Sequence, residues 1–330
     1  MSFKRLDPED FLVSVDSITA TAWSTNSPTL STFFTSSATS TNDSYYKNVF
    51  QTASTLSNAA VQFAIAYGNK DGLGSTNFND LVPGVSPTRT VYGQYRNLIY
   101  GSETAAFIFG AVTSSDFWAI SVDRSRYKEH LLKGTFNITL SGSGIGLLKL
   151  TDDSGMVSTD TYLDCGRVYN IISGSNGVAF SGTGYSPSSG SYGLFLPDIA
   201  TIIINPLALS QSINLSPSRS SDADGLNIGR LFTAISGAAS FQVNSEETVT
   251  SDYVFVRARN SEFNYSENPS FISGSTGDVI YSTFINSPQT YMTTVGFYND
   301  TNDLLAVAKL SKPLTKDFTK EALVRVKLDF

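Results

Sequence analysis

One histidine and one cysteine limit the chemistry open to this chain of 330 residues. His130 lies in Arg126-Tyr-Lys-Glu-His-Leu-Leu-Lys133, a charged segment between strand signals. Serine hydrolysis needs a base beside an activated nucleophile, and no Gly-x-Ser-x-Gly elbow occurs. His130 therefore reads as solvated or hydrogen-bonded. Cys165 has no possible base but His130 and no activating motif, so it reads as a small buried residue. A lone cysteine also excludes an internal disulfide and a thiolate metal cluster.

Two loops imitate ligand motifs. Gly142-Ser-Gly-Ile-Gly146 lacks the Gly-x-Gly-x-x-Gly order and the Lys-Ser/Thr end of a phosphate loop, and strand signals flank it. It reads as a tight β connection. Ser220-Ser-Asp-Ala-Asp-Gly225 has glycine at the sixth place of a calcium loop, but serine at the first and Leu231 at the twelfth, where a bidentate Glu belongs. It reads as an acidic turn before a helix. The 29 Asp and Glu leave a two-carboxylate glycosidase open in principle, yet no aromatic–carboxylate cluster accompanies them. The expectation is a protein that is not an enzyme, with no catalytic residue, cofactor or metal.

Composition points the same way. Charged residues are 15% of the chain, well below ordinary usage. Ser and Thr supply roughly a quarter of it. Thr, Tyr and Phe suit pleated, half-buried surfaces, and 25 Gly with 11 Pro supply turns. An uncharged polar surface is cheap to desolvate, which suits subunit assembly and also carbohydrate binding. For the second, Tyr162, Tyr169, Tyr185 and Tyr192 are candidates to stack on sugars. A net charge of −7, with Arg124, Arg126, Lys128 and Lys133 interleaved with Asp123 and Glu129, argues against nucleic acid as a partner. No segment approaches the roughly 18 apolar residues of a membrane span, so no membrane insertion is expected. Residues 1–10 carry charges where a signal peptide needs an apolar run. Synthesis and folding in a reducing cytosol follow, with Asn137-Ile-Thr139 and similar sites unglycosylated.

The elements that must position these residues are mostly strands. The expected class is mainly β with a few short helices, in antiparallel sandwich- or barrel-like subdomains. Residues 1–43 read as an extended N-terminal arm: Trp23, Leu30, Phe33 and Phe34 are strung through Ser, Thr, Asn and Pro without periodicity. Trp23, Phe33 and Phe34 are therefore candidates to insert into a neighbour. Val49, Ala53, Leu56, Ala60, Phe63 and Tyr67, spaced 4-3-4-3-4, predict an amphipathic helix near 45–67, with caps at Asn42, Asp43 or Ser44 and an end at Gly68. With the helix, strands at 96–100, 105–109, 117–122, 135–140 and 146–150 make a domain over 44–150. A Ser/Gly/Tyr-rich β region follows over 151–240, holding a buried strand between Pro197 and Pro206 and a helix at 227–235. A C-terminal β domain spans 241–330. There Val295, Phe297, Leu305 and Val307 predict a hairpin around the polar connection Asn299-Asp-Thr-Asn-Asp303. Val324, Val326, Leu328 and Phe330 alternate with Arg325, Lys327 and Asp329 as a half-buried terminal strand. Hairpin and strand are expected in one antiparallel unit, with Lys309 and Lys312 on its solvent or subunit side.

The hairpin text, Thr293-Thr-Val-Gly-Phe-Tyr-Asn-Asp300 with Asp303-Leu-Leu-Ala-Val-Ala-Lys-Leu-Ser-Lys-Pro313, resembles structural proteins of contractile-tailed phages. A weaker form of it occurs in baseplate-attachment domains of tail fibres. Phe3-Lys-Arg-Leu-Asp-Pro-Glu-Asp-Phe11, Trp23-Ser-Thr-Asn-Ser-Pro28, Phe117-Trp-Ala-Ile-Ser-Val-Asp-Arg-Ser-Arg-Tyr-Lys-Glu129 and Tyr192-Gly-Leu-Phe-Leu-Pro-Asp198 resemble virion structural proteins of T-even-like phages of marine cyanobacteria. The resemblance implies a structural subunit of the virion, in the tail baseplate, made in the host cytoplasm. Its partners would be baseplate or fibre subunits in a symmetric multi-copy assembly. A tail-fibre receptor module or a neck or capsid-associated protein is the alternative. Among these residues Phe297, Lys309 and Lys312 would join Trp23, Phe33 and Phe34 as contact residues.

Overall fold

The computed structural model describes residues 3–35, 46–72, 87–143, 146–219, 226–266 and 268–329. Strand accounts for 44% and helix for 16%, so the class is mainly β, as the composition predicts. Two units divide the chain. The larger is the continuous stretch Ser17–Glu247, and the smaller combines Met1–Asp16 with Thr248–Phe330. The chain passes between them twice, inside β1 (Phe11–Thr21) and inside β18 (Asn244–Ala258).

The larger unit is built on a curled, half-barrel sheet of 13 strands. At its centre β16 (Thr201–Ile204) lies between β15 (Gly193–Leu196) and β8 (Asp116–Val122). Beyond β15 come β13 (Gly166–Ser175), β11 (Leu147–Asp152), β10 (Asn137–Ser141), β17 (Phe241–Gln242) and β2 (Thr29–Leu30). Beyond β8 come β5 (Val61–Asn69), β4 (Lys47–Phe50) and β3 (Phe34–Thr35). Short β12 (Thr161–Leu163) and β14 (Val178–Ala179) pair with β13, while β6 (Phe107–Phe109) and β7 (Val112–Ser114) form a hairpin of their own. β9 (His130–Leu131) pairs with the start of β18.

The central strands are apolar on both faces because both are covered. On one face Phe63, Trp118, Ile120, Phe195, Ile202 and Ile204 pack beneath α2 (Pro206–Ile213) and α3 (Asn227–Ala238). On the other, Phe117, Ala119, Leu194, Leu196 and Ile203 pack with Val91, Tyr92 and Ile99 of α1 (Thr88–Tyr100). This explains the Ile202-Ile-Ile204 run: a strand buried on both sides has no polar alternation to show.

Several expectations are overturned. Instead of the helix expected near 45–67, the described residues 46–67 hold β4 and the greater part of β5. The 4-3-4 spacing competes with a period of two in Val61, Phe63, Ile65 and Tyr67, and sheet pairing of β5 with β8 over Phe63↔Val122 to Asn69↔Asp116 decides it. Gly68 ends no helix. It lets β5 lie against Phe117, whose ring would stand 2.7 Å from an added Cβ. The expected caps at 42–44 lie outside the described residues. Conversely, 96–100 is the end of α1 rather than a strand. Val91, Tyr92, Tyr95 and Ile99 form its buried side, and left-handed Gly101 closes it. The sheet of the larger unit runs on across the expected boundaries near 43 and 150, whereas a division does fall close to the one expected near 240, between Glu247 and Thr248. The strands around Gly142–Gly146 do pair as a hairpin, Ser141↔Leu147, with 144–145 outside the described residues.

In the smaller unit β18 pairs with β21 (Ala322–Asp329) from Ser251↔Asp329 to Ala258↔Ala322, and β1 precedes β18 in the sheet order. β19 (Thr290–Tyr298) and β20 (Leu304–Lys316) make a separate two-stranded sheet, with α4 (Ser282–Asn286) before them. The hairpin exists as predicted, but the single unit of hairpin and terminal strand does not. Val324 and Val326 find their cross-strand partners in Val256 and Val254 of β18. Of the apolar residues that mark the hairpin and the terminal strand, only Val326 is buried. Val295, Phe297, Val324 and Leu328 are half-buried, whereas Leu305 and Val307 are exposed.

Candidate functional site

The larger unit holds an arrangement that imitates a catalytic site. Glu246, opposite His130 in the β9–β18 pairing, binds His130 Nε2 at 3.0 Å through Oε2 and accepts a short hydrogen bond from Ser17 through Oε1. Burial opposes ionisation of Glu246, but these two donors hold its carboxyl below the usual range. Serine and histidine thus occupy opposite oxygens of one carboxylate. His130 has no path to the Ser17 proton, and a nucleophile activated by histidine requires that path. Arg167 donates from its backbone N–H at 2.7 Å and from its guanidinium to Asp198; these bonds outweigh burial and hold Asp198 low as well. Lys133 grips both oxygens of Asp160, at 2.7 and 3.0 Å, and lies 5.5 Å from the centre of the Tyr169 ring. The buried Tyr169 hydroxyl bonds neither, and burial with Asp160 nearby pushes it up to about 12. These groups staple loops to the sheet. Cys165 is partly exposed rather than buried, and burial raises its thiol. Among the described residues no group of three or more ligating side chains could hold a metal ion. Residues 220–225, the calcium-loop look-alike, lie outside them.

A groove of about 380 Å³ runs between α1 and the sheet, lined by Tyr46, Val91, Tyr95, Leu98, Ser121 and Thr201. Tyr95 Oη, Ser121 Oγ and Thr201 Oγ1 satisfy one another at 3.0 and 3.4 Å, so nothing reactive faces it.

Among the described residues, the smaller unit carries more than half of the exposed large apolar side chains. Its hairpin is anchored by a polar clamp. Thr290 and Lys316 stand opposite each other at its base, both buried. Thr290 Oγ1 donates at 2.6 Å to the carbonyl of Phe263, which sits at a positive φ of 56°. The fully buried Lys316 ammonium donates to the Asn260 carbonyl at 3.0 Å, Asn264 Oδ1 at 2.8 Å and the Asp317 carbonyl at 3.0 Å. Three neutral acceptors match its three protons, which is how a cation survives burial here without a carboxylate. Composition gives no hint of this lysine's role, since Lys309, Lys312 and Lys316 look alike in sequence.

Above the clamp the hairpin opens to solvent. Leu304, Leu305, Val307 and Leu314 of β20 are exposed, as are Tyr291 and Tyr298 of β19. Lys309 and Lys312 are exposed too, as predicted, and neither makes an ion pair among the described residues. β1 repeats the pattern: Phe11, Val13 and Val15 alternate along one side of the strand and are 50%, 63% and 64% exposed.

The predicted contact residues fall into two groups. Phe297, Lys309 and Lys312 lie together on the hairpin, with Phe297 half-buried. Trp23, expected on an arm that reaches a neighbour, is instead 2% exposed in the core of its own larger unit, 4.9 Å from the Phe241 ring. Phe33 packs on Phe63 at 6.1 Å, and Phe34 in β3 remains exposed. Aperiodic spacing hid Trp23, which sits in the turn that follows β1 and precedes β2. The sugar-stacking tyrosines also disperse. Tyr169 is buried, Tyr192 packs against the core and bonds Ser212 at 2.7 Å, Tyr185 is half-buried, and only Tyr162 stands free. Sequence reasoning did not single out the exposed side of β1, although Phe11, Val13 and Val15 carry the alternation that marks it. No protein-family model, curated protein or solved structure matches the chain.

Proposed function

We propose that this chain is a non-enzymatic structural subunit of a tailed-phage virion, placed in the contractile-tail baseplate, where it joins neighbouring subunits or fibres. One observation carries the assembly reading: the smaller unit spends its apolar residues on its surface. Among the described residues its buried hydrophobic side chains are Val254, Ala258, Ala322 and Val326, while β1 and the hairpin expose long apolar stretches. A two-stranded hairpin is marginal on its own in water. Contiguous exposed apolar surface of this extent marks a contact with another protein. The virion setting rests on the resemblance of residues 3–11, 23–28, 117–129, 192–198 and 293–313, and the hairpin text favours the tail. The Ser17–Glu246–His130 order supports a non-catalytic reading, because it lacks the proton path of a hydrolase.

Mass spectrometry of virions dissected into heads and tails tests this. The chain is expected in the tail fraction and in isolated baseplates. Recovery with heads or necks would move it within the particle, and absence from purified virions would overturn the proposal.

A further inference from the structure

Strand register gathers one set of side chains on one face of the sheet, where β12 meets β13. Tyr162 stands directly opposite Arg167, so the two side chains share that face. Tyr169, two residues beyond Arg167 on β13, lies on it by strand alternation. Lys133 brings Asp160 to the same place, since it binds both Asp160 oxygens and lies 5.5 Å from the centre of the Tyr169 ring. Asp198 joins through Nε and Nη2 of Arg167. Tyr162 is 66% exposed, and the polar groups beside it are only partly satisfied. Among the described residues the Lys133 ammonium bonds Asp160 alone, and Nη1 of Arg167 bonds nothing. Tyr169 is 2% exposed, yet its hydroxyl has no hydrogen-bond partner. A buried hydroxyl in that state costs free energy until something fills the position, and here the position borders the Lys133–Asp160 pair.

We propose that this face is a binding site for a neutral saccharide. Both cations already hold a carboxylate, so an anionic ligand meets no free positive charge, and both carboxylates are held by cations, so a metal ion or ammonium group meets no free negative one. What remains open is an aromatic ring beside unused hydrogen-bonding positions. A pyranose matches that pair of features, with C–H groups on its faces and a rim of hydroxyls that each donate and accept. Its C–H face stacks on Tyr162. Directly opposed side chains stand about 5 Å apart at Cβ, so a ring on Tyr162 brings its hydroxyls to Arg167 and Asp198. Those hydroxyls accept from Nη1 of Arg167 and the remaining Lys133 proton, and donate to carboxylate oxygens of Asp160 and Asp198, whose side chains are partly exposed. One sugar hydroxyl supplies the partner that Tyr169 Oη lacks. Of the four candidate tyrosines, Tyr162 thus serves as the platform and Tyr169 as a buried hydrogen-bonding group. The site lies wholly within Ser17–Glu247 and does not depend on the exposed apolar stretches of the smaller unit.

The test is saturation-transfer difference NMR on the full chain with the methyl glycosides of glucose, galactose and mannose at millimolar concentration. At least one is expected to receive saturation, strongest at its ring C–H protons, as a sugar stacked on tyrosine does. Tyr162→Ala should weaken that binding about tenfold or more, with the melting temperature unchanged because the ring is exposed. Tyr169→Phe removes only the hydroxyl without a partner. It should weaken binding several-fold while leaving the melting temperature equal or higher, a split that a tyrosine serving only to pack the core would not give. Added salt should leave the affinity for the neutral sugar unchanged. No transfer to any of the three glycosides, or transfer that survives Tyr162→Ala, would overturn the proposal. So would tighter binding of methyl glucuronide than of methyl glucoside, because the face would then select an anion. Binding that Tyr169→Phe leaves intact would show that water alone fills the buried position, and would overturn the site as drawn.

Discussion

The two units of this chain solve the same folding problem with different means. In the larger, the central strands are covered on both faces, and aromatic rings such as Trp23, Phe63, Phe136 and Phe241 interlock at centroid distances of 4.9 to 6.3 Å. In the smaller, no comparable core exists among the described residues, and the hairpin is held by hydrogen bonds from Thr290 and Lys316 to the 260–264 loop. Burial of apolar area is non-directional and grows with size. A polar clamp is local and supports only what it touches. The difference teaches where stability resides and where apolar surface is left exposed.

Four experiments can break or sharpen this contrast. Phe241→Ala in the larger unit removes a ring that touches Trp23, Phe63 and Phe136, and should cost about 3–5 kcal/mol in denaturant unfolding. A loss near zero would refute the interlocked core. Lys316→Met keeps the length of the side chain but leaves three acceptors without donors, and should cost about 2 kcal/mol. Its effect should be confined to the smaller unit, read as faster hydrogen exchange over 259–316 with exchange of β5, β8 and β16 unchanged. Spread of the effect into those strands would show that the clamp serves the whole molecule.

Asp198→Asn should cost about 1–2 kcal/mol at neutral pH by removing a charged acceptor from Arg167. Asp198 and Glu246 are held below their ordinary values in the folded state, so the stability they supply is present above the usual carboxylate range and is lost as pH falls through the folded values. Asp152 and Asp153, raised by burial, act with the opposite sign. The difference between the natural protein and Asp198→Asn should therefore shrink on acidification. A constant difference would show that the charge of Asp198 is not what matters. Smallest of all, Leu305→Ser should change stability by no more than about 0.5 kcal/mol, as an exposed substitution. A large loss would mean that Leu305 is covered within its own chain.

Legibility in the sequence followed the same division. Strands with strong local signals were readable: Asp116–Val122, Asn137–Ser141, Leu147–Asp152, the hairpin and the terminal strand all lie near their predicted places. The Val49–Tyr67 stripe misled because a helical spacing and a strand alternation overlap in the same residues, and only pairing with β8 separates them. Trp23 was unreadable for another reason, since its neighbours Phe63 and Phe241 are distant in sequence. Lys309 and Lys312 could be placed on the surface by desolvation cost alone. That same argument gave no way to see Lys316, whose burial depends on three oxygens supplied by the loop at 260–264 and by Asp317.

The order of residues along the chain also sets an order in time. Residues 17–247 emerge as one stretch and contain every strand of the half-barrel sheet, whereas β1 is made first and its partner β18 and the hairpin last. At ordinary synthesis rates of about 5–20 residues per second, the remaining 248–329 segment takes roughly 4–16 s to appear. During that interval the larger unit can fold while the strand Phe11–Asp16 waits unpaired. A chain that stops at 247 would then hold every strand of the half-barrel sheet and lack the hairpin.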